Sequence, residues 1–240
     1  FRRCFPDTGE TGWSESSFLN KLDRNILALP SINNVYEEIS SHVDIYISKI
    51  KDTLIIEKAM YDNIKEKVLD NDICIVRGNE TVKNPYPNDI LYNVCVIGNN
   101  AIHNFKYTDK KLLEIIDKKG LNKININQGY SNCSIAVIDD NSAIVSDKKI
   151  ANMLQEYGID TLYIDEKLDI KLLDKKGNYS KMSGFIGGAI ERMENNVIVF
   201  GDLNKIDKEN KIRNFITSRN LNVIDFKGFD VIDYGGIIKI

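Results

Sequence analysis

Ser134-Ile-Ala-Val-Ile138, Asp139-Asp-Asn141, Ser142-Ala-Ile-Val145, Asp147 to Tyr157 and Thr161-Leu-Tyr-Ile164 decide the fold. In that order they predict strand, tight turn, strand, helix, strand. Asp and Asn tolerate the positive φ of the favoured hairpin turns, so the first two strands should pair antiparallel. About 20 residues separate the starts of the second and third strands, enough for one crossover helix, so those two should run parallel. The helix places Ile150, Met153, Leu154 and Tyr157 on one stripe, with Lys and Glu opposite.

Working outward, the same order recurs, and self-similarity at a fixed period governs the whole fold. One copy runs through Asp44 to Ser48, the turn Lys49 to Asp52, Thr53 to Ile56, a helical stretch Met60 to Leu69 and Ile73 to Val76. A second runs through Asn93 to Ile97, Gly98 to Asn100, Ala101 to His103, a helix Asp109 to Lys118 burying Leu112, Ile115 and Ile116, and Lys123 to Ile126. A fourth runs through Ala189 to Met193, Glu194 to Asn196, Val197 to Phe200, Asp207 to Ser218 and Asn222 to Asp225. The ends supply strands Val231 to Tyr234, Gly235 to Ile240 and Asn25 to Leu29, with a helix Ser16 to Leu22, and these make a fifth unit.

The expected architecture is therefore α/β: a five-bladed, pseudo-symmetric ββαβ propeller in a single domain over 1–240. Its modules cover about 42–78, 91–128, 132–165, 187–226, and 229–240 with 1–30. Ring closure by the terminal segments removes exposed sheet edges. The competing architecture is an open doubly wound sheet with hairpin insertions. Irregular segments fall at 32–41, 78–89 and 165–183, and the last, rich in Lys and Asp, reads as the most lid-like.

The chain has 240 residues, 42% hydrophobic and 28% charged, which suffices for a real core. A net charge of −3 offers no excess positive field to a phosphate backbone or an anionic membrane, so nucleic acid is not an expected partner. No apolar run is long enough to span a bilayer, and the first 30 residues lack the pattern of a secretory signal. Cys4, Cys74, Cys95 and Cys133 show no short paired spacing, so neither a disulfide framework nor a metal knuckle is expected. With two histidines, no HxxxH and no clustered cysteines, no transition-metal site and no cofactor are expected, a carboxylate-bound hard cation stays open, and the cytoplasm is the default address.

Four stretches carry a family resemblance: Ala101-Ile-His-Asn-Phe-Lys-Tyr-Thr-Asp109, Gly129-Tyr-Ser-Asn-Cys-Ser134, Ser146-Asp147 and Gly184-Phe-Ile-Gly-Gly188. With the five-module plan they resemble an uncharacterised family of clostridial-type bacterial proteins of the guanidine-group-modifying-enzyme, or pentein, fold, over about residues 25–240. The resemblance implies enzymes that attack a guanidinium carbon with a thiolate, use a His as acid/base and hold the cation with carboxylates. It also implies a Cys after a glycine-rich stretch near the C-terminus, but here Gly235-Gly236 is followed by Ile-Ile-Lys-Ile. Where the family His would begin a strand, the chain reads Gly184 to Gly188, which suggests close backbone approach or a bulge at the ring centre. The usual catalytic Cys and His are thus absent from those places.

The repeat itself nominates a site. Ends of the second strands should face one mouth of a central channel, and they supply Glu57, His103, Asn104, Asp147 and Asp202, with Lys106 just beyond. Starts of the first strands supply Asn93, Asn132, Cys133 and Glu191. Glu57, Asn93, Asn104, Lys106, Asn132, Asp147, Glu191 and Asp202 are the expected ligand-binding set, suited to a small polar or cationic metabolite. Asp147 and Asp202 equally read as helix N-caps. His103 and Cys133 are the best available base and nucleophile, although each also reads as an ordinary buried residue, and His42 reads as structural. Two functions follow: a metabolite-binding member of the fold without catalysis, or a hydrolase or transferase acting on a guanidino or amidine C–N bond through Cys133 and His103.

Overall fold

The computed structural model describes residues 29–68 and 73–239. Four modules repeat one plan. In the first, β1 (Ile47–Ile50) and β2 (Thr53–Ile56) pair antiparallel, α2 (Tyr61–Lys65) follows, and β3 (Cys74–Arg77) returns parallel to β2. The second has β4 (Cys95–Ile97), β5 (Asn100–His103), α3 (Lys110–Lys118) and β6 (Asn122–Asn125). The third has β7 (Ile135–Asp139), β8 (Ser142–Val145), α5 (Lys148–Glu156) and β9 (Asp160–Tyr163). The fourth has β12 (Ile190–Met193), β13 (Asn196–Val199), a short 3-10 turn Leu203–Lys205, α7 (Lys211–Thr217) and β14 (Asn222–Ile224). Positive φ at Lys51, Gly98 and Glu194 turns three of the hairpins.

The fifth sheet differs from the expected one. β10 (Ile170–Leu173) pairs antiparallel with β11 (Tyr179–Ser183) and parallel with β15 (Val231–Ile232). The stretch read as lid-like therefore supplies two strands of the fifth sheet. β11 is an edge strand with most of its residues exposed, so it lacks the apolar alternation that marks the other strands. The elements expected over residues 16–29 lie, except for Leu29, outside the described residues.

Each helix covers its sheet with an apolar stripe. Leu112, Ile115 and Ile116 of α3 are buried, as are Ile150, Ala151 and Leu154 of α5, while Tyr157 is 52% exposed at the end of its helix instead of joining the stripe. At roughly 25 cal/mol per Å² of apolar surface removed from water, these stripes fix the helices to the sheets. Asp109 then ties two modules together. Its Oδ1 caps α3 by accepting from Leu112 N at 3.1 Å, and its Oδ2 accepts from the backbone N–H groups of Asn79 and Glu80, each at 2.9 Å.

A helical turn precedes the first strand in three modules: α1 (Val43–Tyr46), α4 (Ser131–Ser134) and α6 (Ile186–Ala189). These turns, with Asn93 and the segment 233–236, meet around one axis. Asn93 Nδ2 donates to Asp44 O at 3.2 Å, and Asn93 Oδ1 accepts from Asn132 N at 2.8 Å. A Cβ on Gly187 would lie 2.2 Å from Asn132 O, and one on Gly188 would lie 1.8 Å from Asp233 Oδ1. A Cβ on Gly235 would lie 2.4 Å from His42 Cβ, which returns the circuit to the first module. The ring is thus closed within the described residues, and glycine at 187 and 188 is what lets backbones approach so closely.

Candidate functional site

The first strands lie innermost, so the residues that begin them face the axis. Ile47, Ser48 and Lys49 of β1, Val96 of β4, Val137 of β7 and Glu191 and Arg192 of β12 line a cavity of about 240 Å³, together with Asp44, Tyr92, Val94, Asn132 and residues 237–239. Because strands from four different sheets form its wall, this cavity is the axial channel of the ring.

A buried polar cluster adjoins the cavity and shares Asp44 and Asn132 with its wall. The Cys133 thiol donates to Asp44 Oδ2 at 3.0 Å and accepts from Asn93 Nδ2 at 3.3 Å. Asn132 Nδ2 donates to the same Asp44 oxygen at 3.2 Å. Donor atoms of His42, Asp44 and Cys133 all lie within 4.8 Å of one another, and His42 Nδ1 is 3.7 Å from Asp233 Oδ1. Asp233 is held in turn by Phe185 N and Gly235 N, each at 2.8 Å.

The field in this cluster is negative. Burial pushes the Cys133 thiol well above its ordinary range, and the charges of Asp44 and Asp233 push it further, so the resting sulfur is a protonated thiol. Burial likewise raises Glu191, whose Oε2 accepts from Ile237 N at 3.3 Å, to about 8, with Asp44 adding to the rise. A cation in the cavity would relieve this repulsion.

Of the residues nominated from the sequence, Asn93, Asn132, Cys133 and Glu191 come together here. The rest do not. His103 is fully buried with both ring nitrogens engaged: Nδ1 accepts from Thr108 Oγ1 at 2.6 Å, and Nε2–H donates to Gly129 O at 3.0 Å. Burial lowers its pKa to about 4, against the hydrogen bond to Gly129, so it is a neutral structural imidazole with no hydrogen bond to Cys133. Glu57 Oε2 accepts from Ala59 N and Met60 N, each at 2.8 Å, at the entrance to α2. Asn104 accepts through its backbone carbonyl from Tyr107 N, and Lys106 is exposed over the Tyr107 ring. Asp147 caps α5, accepting from Lys149 N at 2.7 Å and Ile150 N at 3.0 Å, and Asp202 accepts from Asn204 N and Gly228 N.

His42, Asp44 and Asp233 belong to the cluster, but the sequence reading left them out. The signal was positional: His42 and Asp44 stand just before the first strand of their module, as Asn132 and Cys133 do before theirs. Among the described residues, Cys74, Cys95 and Cys133 are free thiols, and no helix is long and apolar enough to cross a membrane.

Solved structures share this architecture. A DDAH from Pseudomonas aeruginosa complexed with citrulline superposes with a TM-score of 0.56 at 12% identity, covering 94% of this chain and 83% of its own. A dimethylarginine dimethylaminohydrolase adduct with S-methyl-L-thiocitrulline gives 0.53 at 11% identity, covering 92% and 80%. The C. jejuni agmatine deiminase gives 0.50 at 13% identity, covering 88% and 73%. At these identities the likeness establishes the fold, which is the pentein fold that the family resemblance implies. No curated protein sequence matches the chain. A family model matches residues 9–238, and the chain belongs to that family, the family of unknown function DUF6873.

Proposed function

We propose that this chain is a cytoplasmic pentein-fold protein that binds a small polar metabolite with a cationic nitrogen in its axial cavity. The observation that carries this reading is the convergence of Asp44, Asn132 and Glu191 on one cavity of about 240 Å³. Two carboxylates and a side-chain amide provide acceptors for several N–H donors of a planar or tetrahedral cation. Binding draws Glu191 into its charged form, so affinity rises as pH rises toward and through about 8. A panel of small amines, guanidino and ureido compounds tests the reading by calorimetry. Agmatine and citrulline, which appear in the names of the structural neighbours, are the first probes. A cationic member of the panel should bind, with affinity lost in Glu191→Gln and kept in Asp147→Asn. Equal binding to wild type and Glu191→Gln would reject it.

A second reading, covalent chemistry at a C–N bond, is supported by His42 near Cys133, with His42 taking the place expected of His103. The protonated resting state of Cys133 weighs against it, because the thiolate is the nucleophile. Alkylation of Cys133 at neutral pH no faster than that of an ordinary buried thiol would end this reading.

A further inference from the structure

We propose that His42, Asp44 and Cys133 form a site for a zinc-type divalent metal at the inner end of the axial cavity. One imidazole nitrogen, one thiolate sulfur and one carboxylate oxygen make up a mixed donor set that suits zinc and its neighbours, whereas magnesium and calcium take oxygen ligands only. His42 and Asp44 stand two residues apart at the start of the first module and Cys133 comes from the third, so the packing of those two modules about the axis assembles the set. They are already near the required spacing. Tetrahedral zinc, with bonds of about 2.0 to 2.3 Å, needs donor atoms roughly 3.3 to 3.6 Å apart. Here Sγ and Asp44 Oδ2 are 3.0 Å apart, and all three donor atoms lie within 4.8 Å.

The surroundings are also those of a metal site. Asn93 fixes the sulfur by donating to it at 3.3 Å. Asp233 Oδ1 stands 3.7 Å from His42 Nδ1, longer than a hydrogen bond but on the side from which a carboxylate orients a metal-bound imidazole once the ring closes on it. Asp44 lines the cavity, which gives the ion a route in and gives a water molecule the fourth position. Binding replaces the S–H bond with a sulfur–metal bond, and the proton leaves to solvent, so uptake releases one proton per ion and tightens as pH rises. No group is oxidised or reduced.

The site shares Asp44 with the proposed metabolite site but does not depend on that reading, and the two occupants should weaken one another. The test uses the full chain without metabolite. Cobalt(II) titration should produce the near-ultraviolet thiolate-to-cobalt charge-transfer band at one equivalent, and zinc should displace it. Cys133→Ser should abolish the band, and Cys74→Ser should leave it intact. His42→Gln should weaken binding by more than the roughly 10- to 100-fold typical of losing an outer hydrogen-bond partner. X-ray absorption of the zinc-loaded wild type keeps the test independent of variant folding: one sulfur at about 2.3 Å with nitrogen and oxygen ligands at about 2.0 to 2.1 Å is expected. Absence of the band in the wild type, a band that survives Cys133→Ser, or a zinc shell without sulfur would overturn the proposal. Binding of a cation that depends on Glu191 while cobalt fails to bind would reject the metal site and leave the metabolite reading standing.

Discussion

The starts of the first strands and the ends of the second strands are both rich in polar residues, yet only the former make a site. His42, Asp44, Asn93, Asn132 and Cys133 meet at the axis, where Asp233, just after β15, joins them. Glu57, His103, Asp147 and Asp202 each satisfy nearby backbone or hydroxyl groups. The cause is geometric. In each module the second strand is central in its sheet and leads outward into a helix, so its polar end finds orphan N–H groups to cap. The first strand is the inner edge, and what precedes it meets residues of other modules at the axis. In a closed ring, radial position decides which polar residues cooperate.

The contrast can be broken most severely at the axis. Gly187→Ala places a methyl 2.2 Å from Asn132 O, so it should destabilise the fold by about 3 kcal/mol or more, read from denaturant unfolding. A cost within experimental error would show that the backbones do not meet there.

His103 tests the outer set. Its folded pKa of about 4 lies below the ordinary 6.5, so between those values the unfolded chain binds more protons than the folded one. Stability present above pH 6.5 should therefore fall as pH drops toward 4, by on the order of 3 kcal/mol. The loss should disappear in His103→Gln, while cation binding in the cavity persists. Glu191 has the opposite sign. Its folded value of about 8 exceeds the ordinary 4.5, so stability should decline as pH rises between them, and Glu191→Gln should flatten that slope. The smallest effect belongs to a cap: Asp147→Ala should cost about 1 kcal/mol and leave ligand affinity unchanged.

The sequence carried the outer architecture more plainly than the centre. The third strands expected at Ile73, Lys123, Thr161 and Asn222 are found within a residue, because each follows an amphipathic helix and alternates or runs apolar. Two features were hidden. The four-residue turns Val43–Tyr46, Ser131–Ser134 and Ile186–Ala189 are too short to show helical periodicity, so His42 and Asp44 looked like the approach to an ordinary strand. β10 and β11 interleave Lys171 and Lys181 with apolar residues, and the exposure of β11 removes the alternation that a half-buried strand would show. Polar candidates could be chosen by module position, but the sequence did not say which end of which strand faces inward. That information resides in the twist and closure of the ring.

Coupling between Asp44 and Cys133, 3.0 Å apart in space though distant in the chain, measures this closure directly. A double-mutant cycle of Asp44→Asn and Cys133→Ala, read by denaturant unfolding, should give a coupling energy of about 0.5 kcal/mol or more. The same cycle between Asp202→Asn and Cys133→Ala should be additive. Additivity in both cycles would mean that the first-strand starts do not share an axis, and the site would lose its basis.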